Sequence, residues 1–427
     1  MQLDAPARTS PLRSRLSAAA CLLLASGAPA VAHAEVGTNW QFDGSALLYA
    51  EKDRTNVAEP IGRITRLFPD GQALSAQLAL DAISGASPTG AVPSGDVQTT
   101  TTPSGNVQTS VANQIPTANF KDFRGALDLE WVKPFGGVFT STAAAHASRE
   151  KDYKSLGANV KLSIDLMHRL ATVTVGGGIN SDEIRPVGGT PVGLTDGTVF
   201  TGEQSNPKRV KTGLVGLSRV LTRRWMVGLT GSRTSERGYL TEPYKVLSVV
   251  DPDSGLSVGQ LKEKRPTERT RADVLASSVY HKTRDIIYTS YRYYWDDWGL
   301  RSSTLDLKYR TPLSETDYLQ PHLRLYTQTA ADFYKYYLIA GEPLPDVATS
   351  DYRLGTLRTA TLGLTYGFRP SNSRGEWSVR AEYMRQWGNG HPEDAEGEEG
   401  VVGALSGLDF IPPLSIGSLV VGYSVPF

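Results

Sequence analysis

Cysteine is almost absent from this chain of 427 residues, which contains only Cys21. The cysteine lies in an N-terminal segment with the pattern of a secretory signal peptide, in which a basic start and an apolar stretch at 16–24 precede the small-residue site Ala32-His33-Ala34. The leucine run of this stretch, at 22–24, follows Cys21 instead of preceding it, which argues against a lipidation site. We therefore expect residues 1–34 to be cleaved, leaving a chain with no disulfide, thiolate metal site or cysteine nucleophile.

The rest of the chain also lacks several features that would assign it to a common class. No run of about 18 apolar residues follows the signal, so no transmembrane helix is predicted. Without residues 1–34 the chain has 41 basic and 43 acidic residues, a balance that does not favour nucleic-acid binding. The nucleophile-elbow, zinc-protease and phosphate-loop motifs are absent from the sequence, and we expect neither an enzyme nor a cofactor.

What the sequence does contain is a succession of segments, mostly of 10–13 residues, with alternating polarity and turn residues between them, the pattern of a transmembrane β-barrel. The fold class predicted for residues 35–427 is a single all-β domain, an antiparallel up-and-down barrel of about 16 strands, with 14–18 possible. The predicted strands are 39–50, 57–68, 72–83, 121–133, 138–149, 154–168, 171–181, 208–222, 225–237, 270–283, 286–297, 300–310, 318–328, 353–369, 376–388 and 415–427.

Short and long connections alternate along these strands, which predicts the orientation. Most of the short ones carry Gly, Pro or Asp, as in Pro69-Asp70-Gly71, and all are expected to face the periplasm. The long ones, 84–120, 182–207, 238–269, 329–352 and 389–414, are expected at the cell surface. A soluble all-β protein is the alternative.

The tryptophans support two membrane interfaces. We place Trp40, Trp131, Trp225 and Trp377 at periplasmic strand ends, and Trp295, Trp298 and Trp387 at the opposite ends. Indole rings favour both interfaces of a bilayer, so this distribution predicts aromatic girdles. A simple preference of tryptophan for strand ends is the alternative.

The C-terminal residues alternate with period two, with Tyr423, Val425 and Phe427 on one apolar face. A terminal strand that ends on an aromatic residue is typical of outer-membrane barrels. We expect these three residues to form the signal that the barrel assembly machinery reads, with outer-membrane lipid as the other partner. The expected location is the outer membrane of a Gram-negative bacterium.

Parity assigns polar side chains to the lumen, because charge on the lipid face would be costly at mid-membrane. Arg292, Asp306, His322 and Arg324 come from consecutive predicted strands and are expected to form one polar cluster. Asp296 and Asp332 lie among Tyr and Trp residues at the extracellular rim. We predict that these six residues contact a solute or narrow a pore; a structural polar interior and an aromatic girdle are the alternatives. The parity of 208–222 and 270–283 is left open.

Other local features favour structural roles. The duplicated stretch at 93–109 is expected to be slack in an exposed loop, and Asp251 is expected to form an Asx turn, since Lys262 stands where a calcium loop needs Glu. The acidic stretch 391–399 is expected to be a solvated tip, and whether any metal binds stays open. His146 and Ser148 have the spacing of outer-membrane phospholipases, but parity places them in the lumen, so a hydrolase is only a distant alternative.

Six stretches resemble the domain of unknown function 3570 family: GASPTGA, EPYKVLSVVD, RPTERTRAD, YRYYWDDWGLRSSTLDLKYR, YLQPHLRLYTQTAADFY and SDYRLGTLRT. The resemblance covers nearly the whole mature chain and implies an outer-membrane barrel without an established activity. Family genes neighbour those for flavin transfer and thioredoxin-like proteins, which implies possible periplasmic redox partners. We therefore expect a channel, or the membrane component of an extracytosolic redox or metal system. An occluded structural or surface-binding barrel is the second hypothesis, and inward folding of loops such as 238–269 would distinguish the two.

Overall fold

The computed structural model describes residues 39–94, 97–101, 107–110, 115–390, 405, 409–411 and 413–427. The predicted signal peptide with Cys21, part of the duplicated stretch and the acidic tip at 391–399 lie outside these residues. Among the described segments, no helix is long and apolar enough to cross a membrane.

The described residues form twenty-one strands, numbered in chain order. They are β1 (Trp40–Glu51), β2 (Thr55–Leu67), β3 (Ala73–Pro88), β4 (Gln98–Thr101), β5 (Val107–Ser110), β6 (Thr117–Phe135), β7 (Phe139–Arg149), β8 (Tyr153–Leu166), β9 (Ala171–Ile184), β10 (Asn206–Thr222), β11 (Trp225–Gly238), β12 (Val246–Val250), β13 (Ser257–Lys262), β14 (Glu268–Lys282), β15 (Asp285–Asp296), β16 (Arg301–Pro312), β17 (Tyr318–Gln328), β18 (Leu338–Ile339), β19 (Leu357–Phe368), β20 (Glu376–Gly388) and β21 (Leu414–Pro426).

Sixteen of these strands close an antiparallel barrel, which confirms the predicted fold class and count. Each barrel strand pairs with its neighbours along the chain, and β1 pairs with β21 to complete the ring. At the closure, Trp40 and Phe427 exchange backbone hydrogen bonds of 3.1 and 2.8 Å, and their rings stack with centroids 6.5 Å apart. The closed ring leaves no sheet edge in the membrane, where an unpaired backbone group would be costly.

The outer surface of the barrel is apolar, as parity predicts. On β8, Leu156 and Val160 are 65% and 64% exposed. Six tryptophans near strand ends are between 36% and 44% exposed, which fits the predicted girdles. Trp298 is the exception to the prediction: it is 4% exposed and packs edge-on against Phe333 in the interior of the surface loops.

The structure shows which residues of β10 face the lumen, a point that the sequence leaves open. Lys208, Val210 and Leu214 are buried on the lumen side, whereas Arg209 and Lys211 are exposed on the outer side. Charged residues thus occupy both faces near one end of this strand, which is why its pattern is ambiguous in the sequence.

Long loops from distant parts of the barrel wall meet above the lumen in a structure that we call the roof, residues 89–92, 239–265 and 331–355. The loops leave the wall between β3 and β6, between β11 and β14, and between β17 and β19. Within the roof, β12 and β13 form an antiparallel hairpin, and β18 pairs with β12 in parallel. The predicted Asx turn is confirmed next to this hairpin, where the Asp251 carboxylate accepts from the backbone N–H of Asp253 at 3.2 Å.

The roof segments are joined by hydrogen bonds. The backbone N–H of Val246 donates to the carbonyl of Thr89 at 3.0 Å, and that of Val92 donates to Ser248 Oγ at 3.0 Å. Lys264 and Ala348 exchange a pair of backbone hydrogen bonds, of 3.0 and 2.9 Å. A barrel of 16 strands is roughly 30 Å across, so loops anchored on distant strands can touch only by crossing the mouth.

Apolar packing strengthens the same connections. One buried cluster combines Val92, Val250, Tyr336, Tyr337 and Leu405, and therefore draws on four different loops. A second cluster centres on Trp298 and Phe333, and a third on Leu247, Leu338 and Ala348. The surface loops of this barrel thus have a core of their own, separate from the barrel wall.

Candidate functional site: charged groups in the lumen and roof

His322 lies at the centre of a polar cluster on the inner wall of the C-terminal half. Its Nε2 is 2.9 Å from Asp306 Oδ2, and its Nδ1 is 2.8 Å from Glu382 Oε1. An imidazolium can donate to both carboxylates, whereas a neutral ring can donate to only one. The side chain is 3% exposed, so these two bonds fix the ring.

The contact between His322 and Glu382 spans a strand, because β19 lies between β17 and β20. Gly363 of β19 is opposite both residues in the strand register. A Cβ atom at Gly363 would lie 2.8 Å from Cγ of Glu382. The glycine therefore leaves the space through which the carboxylate reaches the histidine.

Asp306 is the acceptor for several cationic groups. Arg324 Nε lies 2.8 Å from its Oδ2, and Lys308 Nζ lies 3.6 Å from its Oδ1. Arg380 adds a further cation 3.8 Å from Glu382. We call Asp306, Lys308, His322, Arg324, Arg380 and Glu382 the mid-barrel cluster. Counted with an imidazolium, it holds four cations around two carboxylates, so it presents a net positive charge to the lumen.

Arg292 faces the same lumen but has another partner. Its Nε donates to Asp273 Oδ1 at 3.0 Å. The side chains of Arg292 and Arg324 are 37% and 29% exposed, although both lie inside the barrel wall. Open space therefore adjoins both arginines in the lumen.

The two predicted rim residues have different environments. The Asp296 side chain is fully buried; it pairs with Arg269 and accepts from the backbone N–H groups of Trp298 and Leu300 at 3.0 and 2.9 Å. Asp332 is exposed and lies against Gly299, where an added Cβ would overlap its carboxylate. Of the six predicted residues, the structure brings together Asp306, His322 and Arg324. Solute contact at any of them stays a prediction.

The opposite wall of the lumen carries its own pairs. Arg63 binds Glu130 at 2.8 Å, and Arg124 lies 3.2 Å from Asp81. His146, considered above for a hydrolase, faces the lumen and pairs through Nδ1 with Asp128 at 2.6 Å. Both walls are thus lined with charge.

A set of charged residues inside the roof was missed by sequence reasoning. Glu263 accepts from the backbone N–H of Glu242 at 2.7 Å and pairs with Arg265 at 2.6 Å. Arg265 also binds Asp351 at 2.8 Å, and Arg353 Nε donates to Asp351 at 2.7 Å. Lys245 donates to the backbone carbonyl of Pro88. The ionic network joins two roof loops, and Lys245 connects it to the end of β3. Its members are Glu242, Lys245, Glu263, Arg265, Asp351 and Arg353.

Burial shapes the protonation of this network. Each of its six residues is at most 6% exposed. Burial raises the pKa of Glu242 and of Glu263, and it lowers the pKa of Lys245 to about 8. Burial opposes ionisation of Asp351 as well, but Arg353 outweighs it and holds the pKa of that carboxyl well below its usual range. Five of the six residues lie in the stretches that carry the family resemblance, which was the available signal.

One group of carboxylates has the spacing of metal ligands. Oxygen atoms of Asp122, Glu150 and Asp152 lie within 4.8 Å of one another among the described residues. Asp152 also accepts a hydrogen bond from the Tyr244 hydroxyl at 3.0 Å. Acidic side chains at this spacing are common without a metal, so the spacing by itself does not identify a metal site.

Comparison with solved structures finds outer-membrane proteins of low identity. A bacterial polysaccharide outer membrane secretin is 7% identical with a TM-score of 0.45, covering 92% of this chain and 100% of that one. A mutant of the ferric enterobactin receptor PfeA from Pseudomonas aeruginosa, in complex with enterobactin, is 10% identical with a TM-score of 0.44. That match covers 91% of this chain and only 60% of the receptor, so the chain is much the shorter of the two. The toluene transporter TodX of Pseudomonas putida is 9% identical with a TM-score of 0.38, covering 96% and 93%.

Comparison by sequence identifies a family. No curated protein matches the chain. The family model described as a protein of unknown function, DUF3570, matches residues 13–425. The match includes both the barrel strands and the roof loops that hold the ionic network. The chain therefore belongs to the DUF3570 family.

Proposed function

We propose that this outer-membrane barrel is a gated channel for small polar or charged solutes, and that the roof closes its extracellular mouth in the conformation described. The observation that carries the proposal is the crossing of the mouth by loops anchored on distant strands. Open space beside Arg292 and Arg324 beneath that roof supports a lumen that can hold solvent. Among the residues that the structure describes, only short turns border the other end of the lumen.

The charge on both walls supports a polar solute over an apolar one. Charged pairs that border a water-filled passage interact with permeating ions, and preorganised pairs avoid the penalty of isolated charges. The finer assignment, the membrane component of an extracytosolic redox or metal system, rests on the family resemblance alone. No catalytic step is part of the proposal.

The alternative is a closed barrel whose roof serves as a binding surface. The separate apolar core of the roof favours it, because a gate that must move is expected to be less firmly packed. The two functions differ in one respect, which is whether removal of roof contacts creates a conducting pore.

Planar-bilayer recording tests the proposal. Replacing 243–262 with a short Gly-Ser linker removes the β12–β13 hairpin, and we expect this variant to conduct far more than the parent. Replacing only the exposed tip at 252–254 is the matched control and should leave the parent behaviour unchanged. If the shortened protein folds, as its heat-modifiable migration would report, but passes no current, the channel proposal fails.

Ion selectivity of the shortened variant then probes the mid-barrel cluster. Asp306→Asn removes a negative charge and should shift selectivity towards anions, whereas Arg324→Gln should shift it towards cations. A unit charge in water at 4 Å is worth about 1 kcal/mol, so permeability ratios should change roughly fivefold. Identical ratios in both variants would leave the cluster a structural role only.

A further inference from the structure

The outer wall of the barrel carries a basic patch on β10 and β11 near the cell surface. On β10 the exposed residues alternate with buried ones, and Arg209 and Lys211 belong to the exposed set. On β11, Arg233 and Arg237 are exposed in the same way. Arg209 pairs with Arg237 in the register, and Gly213 pairs with Arg233, so the four side chains share one face of two adjacent strands. We call these four residues the basic patch.

The patch lacks acidic partners to match its charge. In the part of the chain that the structure describes, Arg237 pairs with Glu268 at 3.4 Å, with both side chains more than 60% exposed. The structure gives no ion pair for the other three among the described residues. Lys208, the neighbour of Arg209 on the lumen face, instead lies 3.6 and 3.9 Å from two carboxylates. Like charges directly opposite on paired strands repel, so a bound anion would stabilise this outer face.

The depth of the patch identifies the kind of anion. Below it, the same outer face carries Val215, Leu217 and Leu229, which are 48% to 58% exposed. Exposed apolar residues of this kind contact acyl chains, whereas basic side chains are tolerated on the lipid face only near its edges. The patch therefore lies where the acyl chains of the outer leaflet end and its head groups begin.

The wall beside Arg233 also has room for a ligand. Gly177 and Gly213 lie in the same cross-strand row as Arg233, on the outer face. A Cβ atom built on Gly213 meets no atom within 4 Å. Because neither glycine has a side chain, the outer wall is recessed next to the Arg233 guanidinium.

We propose that the basic patch binds the phosphate groups of an anionic glycolipid of the outer leaflet, a phosphorylated, multiply acylated glucosamine lipid of the lipid A class. Arginine and lysine together offer charge-assisted hydrogen bonds to phosphate oxygens, and arginine can do so in a bidentate manner. The acyl chains of the same molecule lie against the apolar band below. This binding is independent of whether the lumen conducts.

Native mass spectrometry of the refolded mature barrel in detergent tests the proposal directly. The parent is titrated with diphosphorylated lipid A, with the same lipid after removal of its phosphates, and with phosphatidylethanolamine. We expect tight binding of the phosphorylated form alone. Equal binding of the dephosphorylated lipid to the parent would overturn the proposal without any variant being needed.

Substitutions in the basic patch test the same proposal in a second way. The triple change Arg209→Gln, Lys211→Gln and Arg233→Gln should weaken binding at least about tenfold, since a basic residue near an anionic surface contributes roughly a factor of five. The matched control changes Arg219, Arg223 and Arg224 to Gln at the periplasmic end of β10, which removes the same charge. Heat-modifiable migration checks the folding of both, and Arg233→Gln alone serves if the triple variant misfolds. Undiminished binding to a folded patch variant, or equal loss in the control, would contradict the proposal.

Discussion

Gly363 has no side chain, and the mid-barrel cluster depends on that absence. The Glu382 side chain crosses β19 at this glycine to reach His322, and an added Cβ would lie 2.8 Å from Glu382 Cγ. The residue is therefore part of the cluster without contributing a polar atom. The alternating polarity of 376–388 predicts that Glu382 faces the lumen, but a contact over an intervening strand has no signature in one strand's pattern.

Gly363→Ala should destabilise the barrel by about 1–3 kcal/mol, because an extra methyl group in a filled space forces its neighbours to move. The measurement is the urea midpoint for loss of the heat-modifiable form. Gly417→Ala is the control, since a Cβ there meets nothing within 4 Å. Equal midpoints for the two variants would show that Glu382 moves aside at no cost.

Through Lys245, the stability of the closed roof should depend on pH in the alkaline range. Burial lowers its pKa from 10.5 to about 8, so between these values the opened roof binds a proton that the closed roof does not. Stability of the closed roof should therefore rise with pH across this window, by about 3 kcal/mol at most. Below pH 8 the residue is charged in both states and contributes no pH dependence.

Limited proteolysis of the roof at pH 7.5 and 9.5 measures this effect. Cleavage of the parent should slow at the higher pH relative to a Lys245→Met variant run in parallel, which corrects for the protease and for Glu242 and Glu263. If the parent and the variant respond to pH alike, Lys245 is not the group that titrates.

At the scale of elements, the barrel strands and the roof differ in how far the sequence reveals them. All sixteen predicted barrel strands are present, because a strand between lipid and a polar lumen must alternate. The roof strands β12 and β18 are short and largely buried, so they carry no such alternation. Trp298 was misassigned for a related reason, since a position at a strand end does not show whether a ring turns towards lipid or towards the roof.

The roof is anchored to the barrel by polar contacts that also lack a sequence signature. Gln328, which ends β17, donates to the backbone carbonyls of Arg353 and Gly355 at 2.9 and 2.7 Å. Arg54, in the turn between β1 and β2, lies 5.3 Å from the ring centroid of Tyr352. Such contacts depend on the three-dimensional meeting of loops and could not be derived from strand patterns.

Arg353→Gln should loosen the roof and leave the barrel intact. The change removes one of the two arginines that bind the buried Asp351, and Arg265 remains at 2.8 Å. The cost should therefore be below the roughly 3–5 kcal/mol of a buried charge left without any partner. Hydrogen exchange should accelerate in 239–265 and 331–355 and stay slow in the barrel strands. Arg358→Gln, at an exposed position at the start of β19, is the control. Uniform acceleration through roof and barrel would show that the two do not unfold separately.

For the molecule as a whole, we expect the C-terminal strand to serve both the folded barrel and its recognition by the assembly machinery, and the two roles can be tested separately. Phe427 is 52% exposed, and its ring lies against Trp40, so it adds little buried area to the folded barrel. Phe427→Ser should reduce the amount of assembled protein in cells strongly, while the detergent stability of the assembled fraction changes by about 1 kcal/mol or less. Wild-type levels of the heat-modifiable form in outer membranes would contradict a role in recognition by the assembly machinery.

We propose above that surface loops close the extracellular mouth of a barrel with an open lumen, and labelling of a cysteine placed in the lumen tests this. Cys21 is the only native cysteine and lies in the segment predicted to be cleaved, so Thr304→Cys, on the lumen face of β16, is designed as a single labelling site. A thiol reagent too large for general porins is added to intact cells, with Asn372→Cys in a periplasmic turn reporting any leak. We predict that Thr304→Cys stays unlabelled under the complete roof and is labelled rapidly when 243–262 is replaced by the linker. Equally rapid labelling with the complete roof in place would show that the mouth is open.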